Sequence, residues 1–311
     1  MFGLEMDPKR QRIRNAVLYS NPHRYRHWRR ALDVLVAALI ILAPPLMGWL
    51  RFDLWGGEHR YMGEAVTFTA ALKAFVVPFF VINAVILLVT HQLGRYLCGW
   101  VCPTGVIIRW AEEIEYKMRA WPIARRALVA AIALVVATGG MLWWVDLRVY
   151  TQGTWQSAGI AAGAHLALAS LIYFEMQVLR FGFCRSLCPS GVYFGVLGQL
   201  SRTGITKITR EENNCTDCGV CTTVCPVDLE PKDMLVQAGD APGIYFDGMS
   251  HLSRCLRCGD CVTACDRTFQ KKGVPGVLDM GFNEDFEFPA EQPPRAEETK
   301  TEAREPATME V

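Results

Sequence analysis

Residues 215–226 read "CTDCGVCTTVCP" and residues 255–266 read "CLRCGDCVTACD". Both set four cysteines as C-x2-C-x2-C-x3-C; the first run ends on Pro226, and the second has Asp266 in that place. This is the run expected for a pair of [4Fe–4S] clusters. Three cysteines two apart can wrap a short loop round one side of a cubane, with the loop's backbone N–H groups aimed at its sulfides. The fourth ligand then comes from the other run. Cys215, Cys218, Cys221 and Cys265 are thereby assigned to one cluster, and Cys255, Cys258, Cys261 and Cys225 to the other. Zinc ribbons use paired C-x2-C units separated by a longer gap, a poor match to two four-cysteine runs. Structural disulfides need an oxidising compartment, and the charge pattern below places these thiols in the cytoplasm.

Around the runs, Gly204–Ile208 ("GITKI") and Gly276–Met280 ("GVLDM") are expected as the outer strands of a small α+β ferredoxin-like core. Its apolar content is modest, so bound clusters are expected to supply much of the folding free energy. Residues 226–254 form a long insert between the runs with no legible role.

Upstream, four segments are apolar enough to cross a bilayer: 31–50, 66–90, 127–145 and 158–179. A span needs about 20 mostly apolar residues, and these lack the polar face of soluble helices. The first is too long for the apolar core of a signal peptide and no small-residue cleavage site follows it, so it is expected to be retained. The chain has 311 residues, 51% of them apolar, and a formal net charge of +1. That balance points neither to nucleic acid nor to an acidic partner; what matters is where the charges sit. Eight Lys and Arg fall in the first thirty residues and six between residues 91 and 126, while the other two connections are poor in them. By the positive-inside rule both termini and the middle connection face the cytoplasm. The expectation is a multi-pass protein of a bacterial inner membrane.

The fold class is therefore an α-helical membrane protein of four transmembrane helices with a small 2[4Fe–4S] ferredoxin-type domain. Residues 1–30 read as a basic cytoplasmic tail, 31–200 as the membrane domain and 201–282 as the cluster domain. Residues 283–311, rich in Glu and Pro, read as a disordered acidic tail.

The membrane part contains a repeat. "CGWVCPTGV" (98–106) is echoed by "CRSLCPSGV" (184–192), and each copy lies just beyond an even-numbered span. Pro103 and Pro189 suit the first turn of a helix, which puts Cys102 and Cys188 at N-cap positions, where a thiolate is favoured. Cys98, Cys102, Cys184 and Cys188 are thus a separate set at the membrane surface. Three readings stand side by side: binding of a soft metal such as Cu(I) or of a further iron–sulfur centre, dithiol–disulfide cycling, and plain apolar packing. Between the copies, 105–121 has Ile107, Trp110, Ile114, Met118 and Trp121 at helical spacing. That fits a helix lying on the cytoplasmic leaflet, or one packed on the polar domain.

Inside the spans, Lys73 and His165 fall at similar depth near the periplasmic side. Intramembrane ionisable groups are often functional, and histidine can take a quinol's proton near neutral pH. A quinol pocket near His165 and Lys73 is one reading; a snorkelling lysine and a helix–helix hydrogen bond from His165 are the other.

Four spans, two C-x3-C-P elbows and the double C-x2-C-x2-C-x3-C resemble the NapH/MauN family of ferredoxin-type membrane proteins over roughly residues 25–275. Related elbows occur in larger membrane proteins of nitrous-oxide respiration and cytochrome oxidase assembly. The resemblance implies electron transfer from quinol in periplasmic nitrate reduction, or a part in methylamine utilisation, with cluster ligands at the eight positions named above. Asp266, where many ferredoxins have proline, lies outside that set. No catalytic acid, base or nucleophile set is visible. The chain reads as an electron carrier with a membrane or periplasmic redox partner, the enzymatic option being a quinol dehydrogenase subunit. The alternative is a metal-handling or assembly factor whose elbow thiols bind or reduce copper for a partner metalloenzyme.

Overall fold

The computed structural model describes residues 7–20, 24–38, 50–53, 59–197, 203–207, 215–231, 254–270 and 276–282. In chain order these form α1 (Pro8–Tyr19), α2 (Arg24–Val36), β1 (Leu50–Arg51), β2 (His59–Tyr61) and β3 (Glu64–Val66). Next come α3 (Phe68–Leu93), α4 (Tyr96–Trp100), α5 (Pro103–Lys117), α6 (Pro122–Met141), α7 (Arg148–Gln152), α8 (Trp155–Phe174) and α9 (Pro189–Leu197). The cysteine-dense region adds β4 (Thr203–Lys207), α10 (Val220–Val224), α11 (Asp260–Gln270) and β5 (Leu278–Phe282).

Among the described residues three helices are long and apolar enough to cross a membrane: α3, α6, and α8 with its continuation to Leu179. They coincide with the second, third and fourth expected spans. The first expected span begins in α2 and then runs outside the described residues, as does the expected acidic tail. On α3, Phe79, Phe80, Val81 and Ile82 are all exposed in succession, a surface suited to lipid rather than water. α6 packs along α8. Val129, Ala133 and Ala137, each four residues apart, are buried on α6, and small residues at that spacing let helix backbones approach.

At the ends of these helices remote from the cysteines, β1, β2 and β3 make an antiparallel sheet. Its β2–β3 turn holds Met62 and Gly63, both at positive φ (53° and 87°), as a two-residue hairpin requires. Phe52 is buried there among Phe68, Phe75 and Trp144.

At the opposite end the two expected outer strands pair with each other. β4 and β5 are antiparallel, in register from Thr203↔Phe282 to Lys207↔Leu278. The core beneath them holds Cys225, Cys255, Cys261 and Cys265, and it also takes in Ile108 of α5 and Phe181 from the segment after α8. Membrane elbows and cysteine domain therefore share one hydrophobic core.

Two readings sharpen here. The helix between the repeats is α5, and its packing fits the second of its two readings, a helix set against protein. Ile107 and Ala111 pack against α6, Ile108 enters the cysteine core, and Glu112 is 0% exposed. The basic stretch at the N-terminus is no free tail over residues 8–19. α1 buries Gln11, Arg14, Asn15 and Leu18, an i, i+3, i+4, i+7 stripe. Arg14, 1% exposed, pairs with Glu112 of α5 at 3.2 Å and Asp260 of α11 at 2.8 Å. A polar inward stripe is invisible to a search for apolar periodicity, which is why the segment reads as solvated.

Candidate functional site

The two cysteine loops have the same backbone. In 215–219 the positive-φ residues are Asp217 (48°) and Gly219 (68°); in 255–259 they are Arg257 (52°) and Gly259 (74°). Both runs read C-x-x-C-G, and the glycine takes a conformation that a side chain would strain. The shared glycine was available in the sequence as the sign that the two loops fold alike.

Around the first loop, Cys215, Cys218, Cys221 and Cys265 line one cleft, closed by Phe269 and Leu278. Three of these thiols come from the first run and one from the second. Around the second loop, Cys255, Cys258 and Cys261 meet Cys225, which comes from the first run. Cys225, Cys255 and Cys261 are buried together, and Cys261 lies within electrostatic reach of Cys258, Cys255 and Cys225. The structure thus brings together the same two crossed sets that the spacing assigned.

Backbone N–H groups turn toward these sulfurs. Leu229 N donates to Cys225 Sγ, and Arg257 N donates to Cys255 Sγ, each at 3.3 Å. Burial pushes the Cys255 thiol up to about 11, and it raises Cys258 and Cys261 further. Thiols so placed stay protonated unless a cation replaces the proton. Among the described residues no three cysteine, histidine or carboxylate side chains close to single-ion spacing. The all-sulfur donor sets fit [4Fe–4S] clusters, and around the second set the N–H groups at sulfur and the burial of Cys225, Cys255 and Cys261 fit as well.

Cys225 is also held from outside. Arg10 Nη2 donates to Thr222 O at 2.6 Å and Cys225 O at 3.1 Å, and Arg10 Nε donates to Thr223 O at 3.0 Å. Arg14 donates to Val224 O. α1 therefore satisfies the carbonyls at the C-terminal end of α10, beside the crossing ligand. Asp260, between two cysteines of the second loop, is buried, which opposes its charge. Arg29 and Arg14 outweigh this and hold its carboxyl down at about 2.

The elbows repeat in three dimensions, and further than the sequence showed. Gly94 (φ 58°, ψ −141°) and Arg180 (φ 46°, ψ −135°) end the two long helices with nearly the same backbone. Each stands four residues before the first elbow cysteine. Gly94 N donates to Thr90 O and Arg180 N to Glu175 O, both at 2.7 Å. A glycine and an arginine share no side-chain character, so this match is legible only in the backbone. Cys102 occupies the expected N-cap of α5, and Cys188 Sγ accepts from Gly191 N at 3.3 Å ahead of α9. A Cβ on Gly105 would stand 3.2 Å from Cys98 O, and one on Gly191 would stand 3.2 Å from Cys184 O. The motif's last glycine lets each helix start pass close to the first cysteine's carbonyl.

The first elbow also sits directly on the second cysteine loop. Trp100 Nε1 donates to Arg257 O at 2.9 Å. A Cβ on Gly99 would be 2.3 Å from Leu256 O, so only glycine fits that approach.

His165 Nε2 lies 3.0 Å from Thr138 Oγ1 of α6, and its ring stands 6.4 Å from that of Tyr150. Lys73 is exposed on α3.

Residues 180–229 and 207–266 each match a family model described as "4Fe-4S dicluster domain", and residues 74–119 match one described as "4Fe-4S binding domain". The chain is 26% identical over 263 residues to the ferredoxin-type protein NapH of Haemophilus influenzae, covering 79% of this chain and 88% of that protein. It is 31% identical over 194 residues to NapH of Escherichia coli, covering 59% and 64%. It is 27% identical over 139 residues to the methylamine utilization ferredoxin-type protein MauN of Methylobacillus flagellatus, covering 43% and 48%. No solved structure matches.

Proposed function

Starting from a membrane iron–sulfur electron-transfer protein of the NapH/MauN type, we propose that the chain carries electrons between quinol, or a membrane partner, and a respiratory or amine-oxidising pathway. Two [4Fe–4S] clusters are its resident cofactors. The observation that carries this reading is the grouping of eight thiols into two crossed sets on the same core as the membrane elbows. Cys215, Cys218, Cys221 and Cys265 hold one cluster; Cys255, Cys258, Cys261 and Cys225 hold the other. Clusters so held supply one-electron redox chemistry whose potential depends on hydrogen bonds to sulfur and on local charge. The chain's own part is to exclude water from the thiols, to donate N–H groups from Leu229 and Arg257, and to set Arg10, Arg14 and Arg29 beside the second set.

The proposal takes residues 1–30 as the basic N-terminal segment, 31–200 as a four-span membrane domain, 201–282 as an α+β ferredoxin-type domain and 283–311 as an acidic tail. The asymmetry of Lys and Arg supports an inner-membrane protein with termini and clusters in the cytoplasm. The copper-handling alternative is not favoured, because the matched models are 4Fe–4S domains and the relatives are ferredoxin-type proteins.

His165, oriented by Thr138 at 3.0 Å, is the proposed proton acceptor for quinol. Lys73, exposed on α3, is proposed as its companion in the pocket or as an interfacial anchor. His165→Leu in membranes is expected to lower quinol-dependent cluster reduction ~100-fold or more, on the scale of a positioned acid–base group, while reduction by dithionite is unchanged. Equal quinol rates in the variant and the parent would reject the pocket.

A further inference from the structure

Four thiols remain outside the two crossed sets, and the fold places them together. Cys184 lies within electrostatic reach of Cys102, Cys188 and Cys98, so both copies of the repeat face one another. Arg95, just after α3, the second expected span, joins the copies. Its Nη2 donates to Cys184 O of the second elbow at 3.0 Å, and its Nη1 donates to Arg254 O, next to Cys255, at 3.2 Å. Added to Gly191, a Cβ would fall 2.7 Å from Arg95 Nη2, so that glycine keeps room for the guanidinium. One buried cation thus touches the second elbow, the second cysteine loop and its own elbow.

That cation is under-compensated. Arg95 is 6% exposed, makes no ion pair with a carboxylate among the described residues, and its Nε is buried without a hydrogen-bond partner. Arg254 lies within reach of both Arg95 and Arg185. Asp228 pairs with Arg185 and Arg10, but among the described residues no such carboxylate pairs with Arg95. Buried guanidinium groups are retained when an anion completes the site. Four cysteines with no histidine or carboxylate among them form an all-sulfur donor set, which selects soft metals and iron–sulfur clusters.

The matched families decide between these. Residues 74–119 match a 4Fe-4S binding domain, and the only cysteines in that stretch are Cys98 and Cys102. The dicluster match over 180–229 takes in Cys184 and Cys188 as well as the first ferredoxin run. We propose that Cys98, Cys102, Cys184 and Cys188 hold a third iron–sulfur cluster, shared between the two halves of the membrane repeat and seated against the loop of the second ferredoxin set. Arg95 is the counter-charge between the two. This rests on the two-cluster reading of the ferredoxin domain, and its test separates the two.

The full chain would be purified anaerobically in detergent, reconstituted with ferrous iron and sulfide, and assayed for iron and acid-labile sulfide per polypeptide. Three cubanes predict about 12 irons per chain. Cys98→Ser and Cys184→Ser, made separately, are each expected to lower this to about 8, leaving the reduced-state EPR of the ferredoxin pair in place. Replacing both Cys218 and Cys258 with serine is expected to leave about 4 irons, with the elbow cluster's own signal. About 8 irons in the parent with no loss in either elbow variant would overturn the third site while sparing the ferredoxin reading, as would stoichiometric copper or zinc released by the elbow substitutions. If the Cys218/Cys258 variant lost no iron, the ferredoxin reading would fail instead. Arg95→Gln supplies a second readout: with the chain still folded, the midpoint potential of one cluster should fall, and unaltered potentials would remove the guanidinium from the site.

Discussion

Glu112→Ala is expected to undock the N-terminal helix. Glu112 is fully buried in α5 and accepts from Gln11 at 2.8 Å, from Arg14 at 3.2 and 3.3 Å, and from Tyr19 at 3.2 Å. Removing the carboxylate leaves Arg14 buried with Asp260 as its remaining carboxylate partner. Breaking a buried pair from one side costs about 3–5 kcal/mol, more than a hundredfold in a docking equilibrium at about 1.4 kcal/mol per tenfold. The checks are thermal unfolding in detergent and protease access to the segment after Tyr19. Glu112→Gln, whose single amide oxygen can still accept from Gln11, should lose less. A Glu112→Ala protein as stable and as protease-resistant as the parent would show that α1 is not held by this network. Because Arg10 and Arg14 also cap the carbonyls around Cys225, undocking should loosen that cluster ligand in the same variant.

Serine substitutions should report crossed ligation as a pattern of pairs. Cys225 follows the first loop yet lies with Cys255, Cys258 and Cys261, and Cys265 follows the second loop yet lines the cleft of Cys215, Cys218 and Cys221. Cys225→Ser combined with Cys258→Ser is expected to remove one cluster, about 4 irons, while Cys225→Ser combined with Cys265→Ser removes both, about 8. If each run served its own cluster, Cys225→Ser with Cys218→Ser would cost a single cluster and Cys225→Ser with Cys258→Ser would cost two. Iron content of the reconstituted variants separates the two patterns.

The likeness of the two cysteine loops was legible because both runs carry the same C-x2-C-x2-C-x3-C spacing and the same glycine. The outer strands were legible for a related reason, since β4 and β5 flank the two runs and pair with each other. Three other features were hidden. α1 turns a polar stripe inward, and a search for apolar periodicity scores such a stripe as surface. α5 has the pattern of an interfacial helix, but amphipathicity says only that one face is covered, and here the cover is protein. The extension of the elbow repeat to Gly94 and Arg180 rests on backbone conformation, and two unlike residues can share that without sharing any sequence character.

The account turns on iron bound by the eight ferredoxin cysteines at a membrane surface. The most direct measurement is low-temperature EPR of the full chain, purified anaerobically and reduced with dithionite. The account predicts fast-relaxing S = 1/2 signals of reduced cubanes, broadened by coupling between two neighbours, and loss of that coupled pair's signal when Cys218 and Cys258 are both replaced by serine, with only the elbow site's own signal left. A reduced protein with no such signal, or one whose signal survives that double substitution unchanged, would contradict it.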